Sequence, residues 1–259
     1  MSKSIKCFLQ LICYEFFLFR KEFFRKFFDL CVATTTNAIV FGYLFPLIGM
    51  KSQYGAFIVV GAVALFGFFD IINRITIFIF DITGDKTISY KLTLPTSTTL
   101  VFLSFPIGWG LISSILTFLL FPLCKLILLE EFPLSNLNFL HFVLIFPTIN
   151  LFFGFFALWL ASLIKNIRNV SWLWFRVVNP LFMFGCYFYT WGLVYKASPI
   201  AGYINLLNPL IYAMEGLRAS VLGPEQYLPF WICFFVLWIC IFFCAIDGIH
   251  RLKKRLDCI

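Results

Sequence analysis

The sequence is poor in charged residues, and this shortage excludes most soluble proteins. Only 12% of its 259 residues are Asp, Glu, Lys or Arg, whereas about 25% is usual for a soluble domain. Hydrophobic residues make up 62% of the chain and the mean hydropathy is +0.96. No stretch is polar enough to form a sizeable soluble domain, so we predict one membrane-embedded domain without a separate enzyme module.

Patterns that carry catalysis or bind cofactors are also missing. The hydropathy pattern places the only two histidines, His141 and His250, near opposite membrane faces, where they cannot share a metal ion. The nine cysteines include no CxxC pair. Gly84-Asp-Lys-Thr87 resembles the end of a phosphate-binding loop, but Asp85 stands where that motif requires glycine. The sequence therefore predicts no catalytic residue, no metal site and no cofactor bound by this chain.

What the sequence does contain is a series of long apolar segments. A ~30 Å hydrocarbon core needs about 20 apolar residues, and in lipid a helix satisfies every backbone group within one segment. Six segments meet this length: 30–50, 55–80, 98–126, 139–164, 172–195 and 228–249. The predicted fold is an all-α integral membrane protein with six transmembrane helices.

The basic residues predict the orientation of these spans. If both termini are cytoplasmic, the inner segments hold 14 Lys and Arg residues and the outer segments hold 4, while Arg74 and Arg176 near span ends complete the 20. Basic residues collect on the cytoplasmic side of membrane proteins. This rule also accounts for the net charge of +8, so the charge does not indicate a nucleic-acid partner.

Residues 1–28 are predicted to form an amphipathic helix that lies in the membrane interface. Apolar side chains recur there at steps of three and four, as expected for one helix face: Phe8, Ile12, Phe16, Phe19, Phe23 and Phe27. The alternative is a first span that begins early, but six charged residues between positions 15 and 26 oppose it. The transmembrane domain is then 29–259.

A polar segment, 81–97, separates the second and third predicted spans on the cytoplasmic side. It is bounded by Gly84 and Pro95, and Ile88, Lys91 and Leu92 lie at helical spacing. A short helix on the membrane surface could serve as the docking element of a soluble partner. An ordinary loop is the other interpretation of this pattern.

A second segment, 205–223, precedes the last predicted span on the outer side. Asn208 followed by Pro209 is a typical helix start, and Gly223 is a typical stop. The intervening helix of about 14 residues is too short to span a membrane, so we predict a re-entrant or interfacial helix. Glu215 and Arg218 are three residues apart on it and could form an ion pair.

Two charged residues, Asp70 and Arg74, fall within the second predicted span. Charges at such depth are costly and are therefore functional candidates. An intrahelical ion pair near the cytoplasmic end of the span would be a structural alternative, and the sequence does not choose between the two.

In this order, the elements resemble the permease subunit of the ABC-2 type transporter family. The resemblance covers essentially the whole chain, and its most specific parts are Thr83-Gly84 through Leu94-Pro95 and Asn208-Pro209-Leu210 through Glu215-Gly216-Leu217-Arg218. It implies an exporter of amphiphiles such as lipid-linked glycans, polysaccharides, lipids or drugs. It further implies a plasma membrane location, which is the inner membrane in bacteria.

The resemblance also implies partners and residue roles. Two copies of the chain, or this chain and a close relative, would form the translocation path within membrane lipid, and separate ABC ATPase subunits would bind the ATP. The segment 81–97 would be the coupling segment, and these of its residues would contact the ATPase: Gly84, Asp85, Lys86, Tyr90 and Lys91. Residues of the outer segment would shape a gate: Asn208, Pro209, Glu215 and Arg218.

Two other classes of protein stay open at this point. A polytopic membrane enzyme acting on lipid or isoprenoid-linked substrates would need clustered acids, histidines or metal ligands at one membrane face, which the sparse charges disfavour. A channel or assembly factor would not depend on residues 83–92.

Overall fold

The computed structural model describes residues 3–49, 53–84, 87–132, 135–164 and 170–256, and these residues form helices and no strand. Among them, five helical stretches are long and apolar enough to cross a membrane: Lys3–Leu47, Gln53–Ile82, Thr98–Glu131, Phe139–Leu163 and Phe230–Arg255. The predicted all-α, membrane-spanning class is confirmed.

In chain order, the helices are α1 (Lys3–Ile39), α2 (Phe45–Leu47), α3 (Gln53–Thr83), α4 (Thr87–Leu92), α5 (Thr98–Phe118), α6 (Leu120–Leu128), α7 (Phe139–Leu163), α8 (Val170–Leu173), α9 (Asn179–Met183), α10 (Trp191–Ala197), α11 (Pro199–Asn205), α12 (Pro209–Val221) and α13 (Phe230–Arg255). Stretches of π-helix at Val40–Leu44 and Trp174–Val178 join neighbouring helices, and Leu129–Glu131 forms a 3-10 turn.

The amino-terminal region differs from the expectation of two separate helices. The predicted interfacial helix and the first predicted span form one continuous stretch, Lys3–Leu47, of 45 residues. At 1.5 Å per residue it is about 68 Å long, more than twice what one crossing of the hydrocarbon core requires. The position of residues 3–28 relative to the membrane interface stays a prediction.

The predicted fifth span, 172–195, is interrupted, and the six-span count is not confirmed. Helical structure ends at Met183, and Cys186 adopts a left-handed backbone with φ +59°. A left-handed residue stops a helix because the following carbonyls no longer point along its axis. The chain then continues without helix to Trp191, where α10 begins.

The centre of the bundle is α7, which packs against α3, α5, α12 and α13. It approaches α5 closely because small residues lie at the crossing. A Cβ on Gly154 would overlap the carbonyl oxygen of Pro106, and one on Gly110 would lie 3.0 Å from the carbonyl oxygen of Asn150. Small residues allow such close approach between helices in lipid, where packing replaces the hydrophobic effect as the main attraction.

From Phe230 to Ile246 both faces of α13 are apolar, which distinguishes it from a surface helix of a soluble protein. One face is buried in the bundle through Cys233, Leu237 and Ile241. The other exposes large apolar side chains at helical spacing: Phe235, Ile239, Phe242 and Ile246. A helix that is apolar all round needs an apolar environment on its open side, and lipid provides it.

Contacts between helices and their flanking residues define two ends of the bundle. At the first, which we call the α4 end, Ser4 on α1 contacts Thr96 before α5, and Lys253 on α13 donates to Thr99 at 2.6 Å. At the opposite end, the α12 end, the backbone N–H of Asn138 before α7 donates to the Ser220 carbonyl on α12. Because Lys3 begins α1 and Arg255 ends α13, both described termini lie at the α4 end.

Candidate functional site

At the α4 end, α4 is a short helix with one attached face and one open face. Asp81 at the end of α3 accepts hydrogen bonds from the backbone N–H and the hydroxyl of Thr87, which fixes the start of α4. Ile88 is fully buried against the bundle, whereas Ser89 and Tyr90 are exposed. The short surface helix considered for the segment 81–97 is therefore present, and its outward face is polar and aromatic.

An ion pair connects α4 to α1. The Lys91 ammonium lies 3.0 Å from a Glu15 carboxylate oxygen, and both side chains are largely buried. The same ammonium lies 4.4 Å from the ring centre of Phe105 and 5.2 Å from that of Tyr14. Aromatic faces attract a cation by their quadrupole, so α1 and α5 together hold the end of α4.

Asp70 and Arg74 form the intrahelical ion pair considered from the sequence, and Lys26 joins it. Asp70 lies 3.1 Å from the Arg74 guanidinium and, through its other oxygen, 3.0 Å from the Lys26 ammonium on α1. The depth of Asp70 in the bundle follows from its distance to Asn150, which lies midway along α7. Asn150 accepts a hydrogen bond from Ser113 on α5 and packs against Gly67 on α3.

Asp70 is three residues beyond Gly67, about 5 Å along the helix axis. Charged groups at such depth are expected to pair with one another. Here one carboxylate on α3 serves two cations, Lys26 on α1 and Arg74 on its own helix.

At the α12 end, α12 begins at Pro209 and ends at Val221, as the sequence predicted. The Asn208 side chain accepts a hydrogen bond from the Leu210 N–H at 3.0 Å and donates one to the Leu181 carbonyl at 2.7 Å. It thus caps α12 and ties it to α9. The re-entrant position of α12 in the membrane stays a prediction.

Glu215 lies in the middle of α12 and is fully buried. Its two carboxylate oxygens accept hydrogen bonds from the backbone N–H groups of Trp191 and Leu228, each at 3.2 Å. These donors belong to the start of α10 and to the segment before α13. One side chain therefore supplies acceptors to two chain segments whose N–H groups have no partner within a helix.

Arg218 is the largest fully buried side chain among the described residues. Its guanidinium donates to the Phe57 carbonyl at 3.1 Å, to the Tyr187 carbonyl at 2.7 Å and to the Cys186 carbonyl, and it lies 3.6 Å from the centre of the Phe57 ring. A Cβ on Gly61 would overlap the guanidinium, so this glycine makes room for it. Arg218 joins α12 to α3 and to the interruption after α9.

Glu215 and Arg218 do not pair as the sequence suggested, because no ion pair within 4 Å joins these two described side chains. Both side chains form hydrogen bonds with backbone groups instead. The two predicted residue sets lie at opposite ends of the bundle: Gly84, Tyr90 and Lys91 at the α4 end, and the α12 residues at the other. Asp85 and Lys86 lie outside the described residues.

Sequence reasoning missed the partners that hold these residues in place. Glu15 and Lys26 were noted only as charges that interrupt an apolar run, and each lies far along the chain from its partner. Gly61 lies inside an apolar span, where a glycine is a weak signal of a close approach.

The comparison with protein families decides what kind of protein this is. A family model described as ABC-2 type transporter matches residues 7–222, which is most of the chain and includes both α4 and α12. The chain belongs to the ABC-2 type transporter family. It is therefore the permease component of an ABC transporter, an integral membrane protein that is not itself the catalytic part. No curated protein and no solved structure matches it.

At both ends of this ABC-2 permease, charged side chains hold neighbouring segments of the chain in position. Within the described ranges, no three His, Cys, Asp or Glu side chains lie close enough together to hold a metal ion. The charged groups identified above contact one another or backbone groups, and all of them except Arg74, which pairs with Asp70 on its own helix, join different segments of the chain.

Proposed function

We propose that this chain forms half of the translocation path of an ABC exporter for an amphiphilic substrate, driven by ATP hydrolysis on a separate ABC ATPase subunit. The second half is another copy of the chain or a close relative. The observation that carries the proposal is the family membership combined with α4, a short helix fixed to the bundle on one face and open on the other.

In this proposal α4 is the coupling helix. A partner that moves α4 as a rigid body pulls α1 through the Lys91–Glu15 ion pair and α3 through the Asp81 cap. The open face offers Ser89 and Tyr90 to a cleft in the ATPase. Gly84, Asp85 and Lys86 precede this face in the chain and belong to the same contact.

The charge cluster of Lys26, Asp70 and Arg74 transmits movement further along the bundle in this proposal. It lies between α1 and α3, closer to the middle of α7 than α4 is, and it holds the two helices together by one shared carboxylate. A shift of α1 against α3 must stretch or break these contacts.

The outer gate of the proposal is α12 with its flanking turns. Arg218 binds the Phe57 carbonyl on α3, so a movement of α3 reaches α12 directly. Glu215 and Asn208 hold the segments on either side of α12, and Pro209 sets the start of the helix. In this orientation the α4 end and both termini are cytoplasmic, and α12 is a re-entrant helix near the outer face of the plasma membrane.

The test is co-purification of the tagged full-length chain in mild detergent, followed by mass spectrometry and an ATPase assay. We expect an ABC ATPase to co-purify with the native chain and to be lost from Tyr90→Ala, because Tyr90 is 69% exposed and open to a partner. The matched control is Tyr203→Ala at the α12 end, a tyrosine that is 61% exposed.

Tyr203→Ala is expected to retain the ATPase. Equal recovery of the ATPase with both variants would contradict the assignment of α4 as the coupling helix. If no ATPase co-purifies with the native chain, the exporter proposal itself is contradicted.

A further inference from the structure

A cavity of about 640 Å³ opens at the α12 end, and nothing in the proposed function uses it. Four separate segments surround it: the start of α3, the turn after α6, the residues between α9 and α10, and the turn after α12. Its wall thus joins parts of the chain that the Arg218 and Glu215 contacts hold in place. A cavity of this size accommodates a small organic ligand.

The charged residues that line this cavity, in the part of the chain that the structure describes, are both acidic. They are Glu131, from the turn after α6, and Glu225, from the turn after α12. One oxygen of the Glu131 carboxylate is buried and accepts no hydrogen bond from any described residue. Lys125 is near in sequence, but its ammonium donates to the carbonyls of Leu129 and Phe132.

A buried carboxylate oxygen without a donor is uncommon, because removing it from water without a replacement hydrogen bond is costly. A ligand that brings a positive charge or a donor would satisfy Glu131. The second carboxylate adds attraction for a cation and repulsion for an anion.

Aromatic rings complete the lining of the cavity. They come from three of its four segments: Tyr54, Phe57, Phe188, Tyr189 and Tyr227. Tyr54 stacks on Phe57 at 5.7 Å, and its hydroxyl donates to the Phe188 carbonyl at 3.0 Å, so part of this wall is fixed before any ligand binds. Aromatic faces combined with carboxylates are the usual surroundings of a bound organic ammonium group.

We propose that this cavity is a binding site for an organic cation, with the ammonium group beside Glu131 and Glu225 and the apolar body against the aromatic rings. The site is additional to the proposed function, and its occupancy is measured without an ATPase or nucleotide. A failure of this proposal is therefore distinguishable from a failure of the exporter proposal.

The experiment uses the full-length chain in nanodiscs of phosphatidylglycerol, a lipid that carries no ammonium headgroup. Two soluble probes of nearly the same shape are compared by saturation-transfer NMR titration: choline, which is cationic, and 3,3-dimethylbutan-1-ol, which is neutral. We expect choline to bind about tenfold more tightly, since only it gains attraction from the carboxylates and the ring faces.

Glu131→Gln is the decisive variant, and Glu130→Gln is its matched control. Glu130 is the preceding residue but lines a different cavity. We expect Glu131→Gln to weaken choline binding about tenfold and Glu130→Gln to change it by less than about twofold, because surface charges outside a site act weakly. Glu131→Gln should keep the thermal midpoint of the native chain, because the buried oxygen of its carboxylate has no described partner to lose.

Three results would overturn the proposal. The first is equal binding of choline and its neutral analogue, or no binding of either. The second is unchanged choline binding by Glu131→Gln. The third is tighter binding of glucose than of choline, which would mark the cavity as a site for a neutral polyol.

Discussion

Charged residues hold both ends of the bundle together, but the two ends use them in different ways. At the α4 end, carboxylates meet cations on other helices, as in Glu15 with Lys91 and Asp70 with Lys26, and these side chains keep 12–25% of their exposure. At the α12 end, Glu215 and Arg218 are fully buried and contact backbone groups. The ion pairs near α4 join side chains to side chains, whereas the buried charges of α12 bind the main chain.

The difference follows from the secondary structure at each end. At the α4 end the ion-paired residues Glu15, Lys26 and Asp70 lie within long continuous helices, which satisfy their own backbone groups, so these side chains are free to join one helix to another. At the α12 end the chain is not helical between Met183 and Trp191 or between Val221 and Phe230, and its buried carbonyls and N–H groups there need partners. Ion pairs here connect separate helices, whereas the buried charges of α12 fix a non-helical backbone.

The largest effect expected from this comparison is that of Arg218→Met, which keeps an apolar stem and removes every donor. Three backbone carbonyls lose a buried partner, so the free energy of unfolding should fall by about 3 kcal/mol or more. Denaturant unfolding of the detergent-solubilised chain, followed by circular dichroism, measures it.

The control for that variant is Arg25→Met, whose side chain is 73% exposed and pairs only with Glu22. It should change the unfolding free energy by less than about 0.5 kcal/mol. Similar losses in the two arginine variants would contradict the contrast between the two ends.

A smaller effect is expected from Gly61→Ala. Alanine is favoured over glycine in a helix by about 1 kcal/mol, yet the added Cβ would overlap the Arg218 guanidinium and lie 3.3 Å from the Tyr187 ring. We expect a net destabilisation of about 1–3 kcal/mol, the range for overpacked sites, measured by the same unfolding experiment.

Gly192→Ala is the matched change, because Gly192 is also helical and the nearest atom to its added Cβ lies 4.0 Å away. It should leave the stability unchanged or raise it by up to about 1 kcal/mol. Stabilisation by both alanines would show that Arg218 does not need the space at Gly61.

The smallest effect concerns the α4 end, in a double-mutant cycle of Glu15→Gln and Lys91→Met. These side chains are 12% and 13% exposed, so we expect a coupling energy of about 1 kcal/mol. The same cycle on Glu22 and Arg25, which are exposed, should give nearly zero. A coupling energy of zero for both pairs would mean that α1 and α4 are not joined by this contact.

Local patterns predicted the elements that depend on neighbours in the chain. The start of α12 at Pro209 follows from the Asn208 cap, and its end precedes Gly223, whose φ is +103°. The helical spacing within 81–97 corresponds to α4. Five of the six predicted spans correspond to long helical stretches, because an apolar segment of sufficient length has no other way to satisfy its backbone in lipid.

The elements that the sequence did not predict depend on residues distant in the chain. Hydropathy alone predicted 172–195 as the fifth span, because it carries no information that Arg218 binds the carbonyls of Cys186 and Tyr187. It also separated residues 1–28 from the first span, because charges such as Glu15 and Lys26 appeared unpaired. Their partners Lys91 and Asp70 lie on other helices.

The sequence by itself determined the class of the protein, most of its long apolar helices, the bounds of α12 and its family. These properties rest on composition, on helical periodicity and on local caps, which act over a few residues. Only the tertiary structure decided where each buried charge finds its partner, and therefore which part of the chain becomes non-helical. A charged side chain within the membrane needs a partner, but that partner can lie at any distance along the chain.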